Sequence, residues 1–130
     1  GIATDGNYLY VADDKVIRKV VISTGVVTTI AGSVNSSGST DATGPSARFS
    51  GLDGITSDGT NLYVVGNNTV RKMVISSLVV TTLAGSPGSS GSTDSTTGTN
   101  ARFTGLEGIT NDGTSLFLTD VNNHTIRKID

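Results

Sequence analysis

Apolar residues in this chain come in short bursts separated by polar or glycine-rich breaks. "LYVAD" (9–13), "KVIRKVVIS" (15–23) and "GVVTTIAG" (25–32) are typical. β-Branched and aromatic residues dominate them, which favours pleated strands. No stretch carries apolar residues sustained at i, i+3, i+4 and i+7, and none reaches the roughly 10–12 residues of a helix. In 16–22, Val16, Val20 and Ile22 share one face of a strand, and Ile17 and Val21 the other. Arg18 and Lys19 interrupt one face each. A strand apolar on both faces is expected to be covered on both.

The bursts recur. Residues 1–33 set over 54–86 without a gap are identical at 19 of 33 positions. "GIATDG" (1–6) returns as "GITSDG" (54–59) and "GITNDG" (108–113); "RKVVIS" returns as "RKMVIS", and "VVTTIAGS" as "VVTTLAGS". Each full copy holds four extended segments. The first is Gly-Ile-Ala or Gly-Ile-Thr, closed by Asp5-Gly6, Asp58-Gly59 or Asp112-Gly113. Asp-Gly supplies the positive φ of a tight hairpin turn. The second segment is 8–12, 62–65 or 116–119, and the third is 16–23, 69–76 or 125–129. The fourth is 26–31 or 79–84, with no counterpart in the third copy. The units span 1–53, 54–107 and 108–130, counting each linker with the unit before it. Four-stranded sheets sandwiched between copies of themselves make a β-propeller. The expected fold is therefore all-β: a propeller segment with two full antiparallel blades and a three-stranded partial blade.

Composition narrows the function classes. There is no cysteine, hence no disulfide and no thiolate metal site. A net charge of −2 argues against nucleic acid as a partner. No apolar run approaches the ~18–20 residues of a membrane-spanning helix. The low charge and the Gly, Ser, Thr and Asn content suggest a secreted or cell-surface protein by compositional analogy.

The run "GITNDGTSLFLTDVNNHTIRKID" (108–130) resembles the repeat unit of NHL-type β-propellers, and the resemblance covers the whole chain. It is carried best by Asp120, Asn123, His124, Ile126, Arg127 and Lys128. "DDKVIRK" and "GNNTVRK" depart from it, with turns two residues shorter and no histidine. The long Gly/Ser/Thr linkers ending in "ARF" are similar to the bacterial, long-repeat branch of the family. The resemblance implies blades around an axis. An arc of such blades leaves apolar faces and a strand edge open, so self-association or further blades of a longer chain are expected partners.

Six residues stand out as candidate binding or blade-seam positions. Arg18, Arg71 and Arg127 recur once per copy and could grip an anion, or pair with carboxylates such as Asp13, Asp120 or the hairpin aspartates. Phe49 and Phe103 end the linkers and could stack a ligand, or plug the seam between blades. His124, the sole histidine, could ligate a metal or move a proton, or be a solvent-facing turn residue. Asp41 and Asp94 lie in oxygen-rich loops that could hold calcium, though not at EF-hand spacing. Asn35, Asn67 and Asn123 head Asn-x-Ser/Thr triplets, which matter only in a glycosylating host.

No Gly-x-Ser-x-Gly elbow precedes a helix, and one histidine would have to serve any triad. NHL-like peptide-amidating lyases use several metal-binding histidines that this chain lacks. Catalytic residues, metal and cofactor are accordingly expected to be none. The expectation is a non-catalytic NHL-type scaffold or protein-interaction module. A glycan-, peptide- or protein-binding propeller is the alternative, and a lyase or hydrolase the least favoured reading.

Overall fold

A computed structural model describes residues Gly1–Asp130 and contains eleven strands. The first sheet holds β1 (Ile2–Thr4), β2 (Tyr8–Asp13), β3 (Val16–Val21) and β4 (Val27–Gly32). The second holds β5 (Leu52–Ser57), β6 (Asn61–Gly66), β7 (Thr69–Val74) and β8 (Val80–Gly85). The third holds β9 (Leu106–Asn111), β10 (Leu116–Asp120) and β11 (Thr125–Ile129). Within each sheet the strands pair antiparallel in chain order. Two apolar clusters lie between successive sheets. Tyr10, Ala12, Ile17, Phe49, Ile55 and Leu62 belong to the first, and Val65, Val70, Phe103, Leu106, Leu116 and Leu118 to the second. The chain is a β-propeller arc.

The repeated Gly-Ile start marks where the sheets converge. A Cβ on Gly54 would stand 2.3 Å from the Glu107 carbonyl oxygen, and one on Gly1 would stand 2.6 Å from that of Asp53. Only glycine lets the first strands of neighbouring sheets approach backbone to backbone. Gly108 meets no later sheet; its nearest neighbour is the Thr119 side chain at 3.1 Å.

Two expectations shift. The first segment is longer than Gly-Ile-Thr: β5 and β9 begin at Leu52 and Leu106, both buried. A bulge between Leu52 and Gly54 breaks the alternation that would have revealed this strand. Two-sided burial of the third segment holds only at its start in β3, whereas in β7 it reaches Met73. Val16 and Ile17 are buried, Val20 and Val21 half-buried, and Ile22 lies exposed beyond the strand.

Each Asp-Gly turn is closed by its own carboxylate. Asp5 Oδ1 accepts from the Asn7 and Tyr8 amides, and Tyr10 donates its hydroxyl to Oδ2 at 2.8 Å. Asp58 accepts likewise from the Thr60 and Asn61 amides, the Asn61 side chain and the Tyr63 hydroxyl. In the third sheet Phe117 replaces the tyrosine, and Asp112 keeps only the amides of Thr114 and Ser115. Burial pushes the Asp58 carboxyl up, but the donors around it outweigh this and hold it at about 2. Burial and the neighbouring Asp5 push the Tyr10 hydroxyl up to about 12.

Candidate functional site

The repeated arginines, the linker aspartates and the linker phenylalanines meet in one constellation, built twice. Arg71 on β7 is buried and reaches back to the linker that precedes its own sheet. It donates to Asp41 Oδ1 at 2.6 Å, to the Thr40 carbonyl and to the Arg48 carbonyl. Its guanidinium lies 5.3 Å from the Phe49 ring centre. Arg127 on β11 repeats this with Asp94, the Thr93 carbonyl and the Arg102 carbonyl, 4.8 Å from the Phe103 ring. Phe49 and Phe103 are 1% and 2% exposed, one in each apolar cluster. Arg48 and Arg102 turn back onto carbonyls of their own linkers.

Arg18 pairs with Asp13 at 2.7 Å in a half-exposed contact. Asp120, at the position of Asp13, is fully buried and accepts from Arg127, Asn123 and the Thr104 amide. The second sheet carries Gly66 there, where a Cβ would stand 2.1 Å from the Gly51 carbonyl oxygen. Arg71 Nε has no hydrogen-bond partner. None of the hairpin aspartates engages an arginine; they are occupied by turn amides and tyrosines.

His124 is exposed on the turn between β10 and β11. It adopts the left-handed conformation, φ 56°, and its amide donates to the Val121 carbonyl. This longer turn contains a short 3-10 turn, Val121–Asn123. That turn reaches the linker through Asn123 to the Gly91 carbonyl at 2.7 Å. Asp41 and Asp94, the calcium candidates, each face a guanidinium instead of further oxygen ligands. No group of three or more His, Asp or Glu side chains is placed to hold a metal.

Two pairings weighed from the sequence are present, Arg18 with Asp13 and Arg127 with Asp120; what sequence reasoning missed is that the linker residues Asp41 and Asp94 hold Arg71 and Arg127. Arg and Asp recur in both repeats at nearly constant separation, about 30 residues apart, and that co-recurrence was the available signal.

Three clefts stand out by volume. One of about 760 Å³ lies between β11 and the linker that carries Asp94. One of about 170 Å³ lies among Asp58, Tyr63, Lys72, Asn111 and Asp130. The third, about 380 Å³ and largely apolar, lies over Phe117, Thr119 and Ile126 on the outer face of the last sheet.

No family model matches the chain, and no curated protein sequence does. Among solved structures it is similar to an auxiliary nutrient binding protein from Bacteroides thetaiotaomicron. The TM-score is 0.80 and the identity 27%, over 99% of this chain. The fold is shared. This chain spans 36% of that protein's length.

Proposed function

We propose that the chain is a non-catalytic, NHL-type propeller scaffold of a secreted or cell-surface protein, and that its two end faces are completed by further blades of the same repeat. A single repeat position carries the argument. Ile17 and Val70 are 0% exposed, each covered by the sheet that follows; Ile126, their equivalent, is 70% exposed. The opposite face mirrors it, with Ile2 62% exposed where Ile55 is 6% exposed. The last sheet thus presents the surface that the first sheet's outer face is patterned to cover. Head-to-tail stacking, by copies of the chain or by a longer one, satisfies both.

The test is sedimentation together with binding of a hydrophobic dye. The expected result is concentration-dependent association or dye binding, reduced by Ile126→Asp. A chain that stays monomeric and binds no dye refutes the proposal.

A second reading, ligand binding, is supported by the nutrient-binding role of the similar protein and by the polar cleft at Asp58, Tyr63, Lys72 and Asn111. At about 170 Å³ it suits a small polar group, such as one sugar hydroxyl face, better than a drug-sized ligand. Glycan and peptide panels read by melting-temperature shift test this reading, and loss of any shift in Lys72→Ala would locate the site.

A further inference from the structure

Arg71 and Arg127 hold the same repeat position but are not equally satisfied. A guanidinium carries five N–H donors. Arg127 places all five. Nε and Nη2 donate to Asp94, Nη2 also to the Thr93 carbonyl, and Nη1 to the Arg102 carbonyl and to Asp120 Oδ2. Arg71 places three. Nη1 donates to the Arg48 carbonyl, and Nη2 to the Thr40 carbonyl and Asp41 Oδ1. Its Nε and one Nη1 hydrogen are left over, although the side chain is only 3% exposed.

The acceptor missing at Nη1 is a carboxylate. Asp120 ends β10 and accepts from Arg127 Nη1 at 2.9 Å and from the Thr104 amide at 2.8 Å. Asp13 ends β2 and accepts from Arg18 at 2.7 Å. β6 ends in Gly66, where the Gly51 carbonyl bars any side chain, so this strand cannot supply the acceptor. The donors remain. Ser50 holds the repeat position of Thr104, and its amide donates to no protein acceptor. A small internal cavity lies beside these groups, walled by Ser39, Ser50, Gly66, Asn67, Thr69 and Arg71. The space open to the centre of a water-sized particle is about 10 Å³, room for one such particle.

We propose that this cavity binds a single monatomic anion of the chloride class, held by Arg71 and the Ser50 amide in place of the carboxylate that the other two sheets carry. Charge favours an anion over a water molecule. Arg127 sits between two carboxylates, Asp94 and Asp120. Arg71 has one, Asp41, whose side chain is 43% exposed and whose oxygens are shared with the Thr82 amide and hydroxyl. A buried guanidinium with a shared, half-exposed counter-charge gains from a second negative charge. An anion needs only donors around it, whereas a water molecule also seeks acceptors. The Gly66 carbonyl is already taken by the Thr69 hydroxyl. The small volume excludes sulfate and phosphate. The bound ion ties the linker, through Ser50, to β7, through Arg71, and so locks the linker onto its sheet. The site lies wholly within the second sheet and the linker before it, and does not depend on how the end faces are covered.

The test uses the unaltered 130-residue chain, so it does not rest on a variant that must fold. Backbone amide NMR is recorded while sodium chloride replaces sodium sulfate at constant ionic strength. The Ser50 amide is expected to show a saturable shift. The Thr104 amide, already bonded to Asp120, is expected not to follow it. Crystals soaked in sodium bromide supply the second measurement. An anomalous peak is expected within hydrogen-bonding distance of Arg71 Nη1 and the Ser50 amide, with none at the corresponding place beside Arg127. Three results would each overturn the proposal. The first is a Ser50 shift that is absent, or that drifts linearly in step with Thr104. The second is a cavity without an anomalous peak, which makes the occupant water. The third is a bromide peak with no saturable Ser50 shift in solution, which makes it an adventitious ion only.

Discussion

Phe49→Ala tests the claim that linker and seam form one structure. The ring is 1% exposed and belongs to the apolar cluster between the first two sheets. It packs against Gly32, where a Cβ would come within 2.9 Å of the ring edge, and beneath the Arg71 guanidinium at 5.3 Å. Deleting a buried Phe side chain costs about 3–5 kcal/mol, the spread reflecting how far the cavity collapses. The walls here are strands hydrogen-bonded in register and a glycine with φ 86°, so collapse is limited and the upper half of that range is expected. Removing the ring also takes away the aromatic face under Arg71, worth about 0.5–2 kcal/mol and already contained in the total. Against a typical domain stability of about 5–15 kcal/mol this is a large fraction. With a urea slope of about 2 kcal/mol/M, the midpoint falls by about 2 M. Urea titration followed by circular dichroism measures it, with the slope required to stay unchanged. A loss below about 1 kcal/mol would refute the seam assignment, since no fully buried Phe is removed so cheaply. Phe49→Leu, which keeps most of the volume, is expected to cost less than about 1.5 kcal/mol.

Three further outcomes are expected. Asp41→Ala leaves the buried Arg71 guanidinium with only carbonyl partners, and is expected to lower stability by about 1–3 kcal/mol in urea titration. Gly54→Ala drives a methyl group toward the Glu107 carbonyl oxygen and is expected to cost about 1–3 kcal/mol or more; Gly108→Ala, the same repeat position facing only a movable Thr119, is expected to cost under about 1 kcal/mol. Asp58, held at about 2, favours the folded state as a carboxylate; its contribution is complete above the ordinary carboxylate range and is lost as pH falls from about 4 toward about 2. Urea midpoints measured against pH are expected to show a shallower acid limb in Asp58→Asn.

Local signals made the strands and turns legible. Short β-branched bursts without helical periodicity mark the strands, and Asp-Gly marks each hairpin because its carboxylate and glycine satisfy the turn without outside help. The first strand was read short because a bulge interrupts the alternation at Leu52. The arginines and linker phenylalanines were visible as repeats, and Asp13 and Asp120 as candidate partners, but the linker partners Asp41 and Asp94 were not. Arg71 meets Asp41 across 30 positions of chain, and no local pattern encodes which of several carboxylates a guanidinium reaches. The hairpin aspartates were plausible partners until their oxygens proved occupied by amides and tyrosine hydroxyls.

By itself the sequence determined the repeat, its four-strand grammar and the all-β class, because these depend on interactions among residues close along the chain. Tertiary structure alone decided why Gly54 must be glycine, which linker aspartate each arginine holds, and where the arc stays open. Those depend on backbone from one repeat standing within contact of another, a relation set by how the sheets stack. Only the folded chain shows the cleft along β11, with a strand edge, an apolar floor and a carboxylate oriented by Arg127.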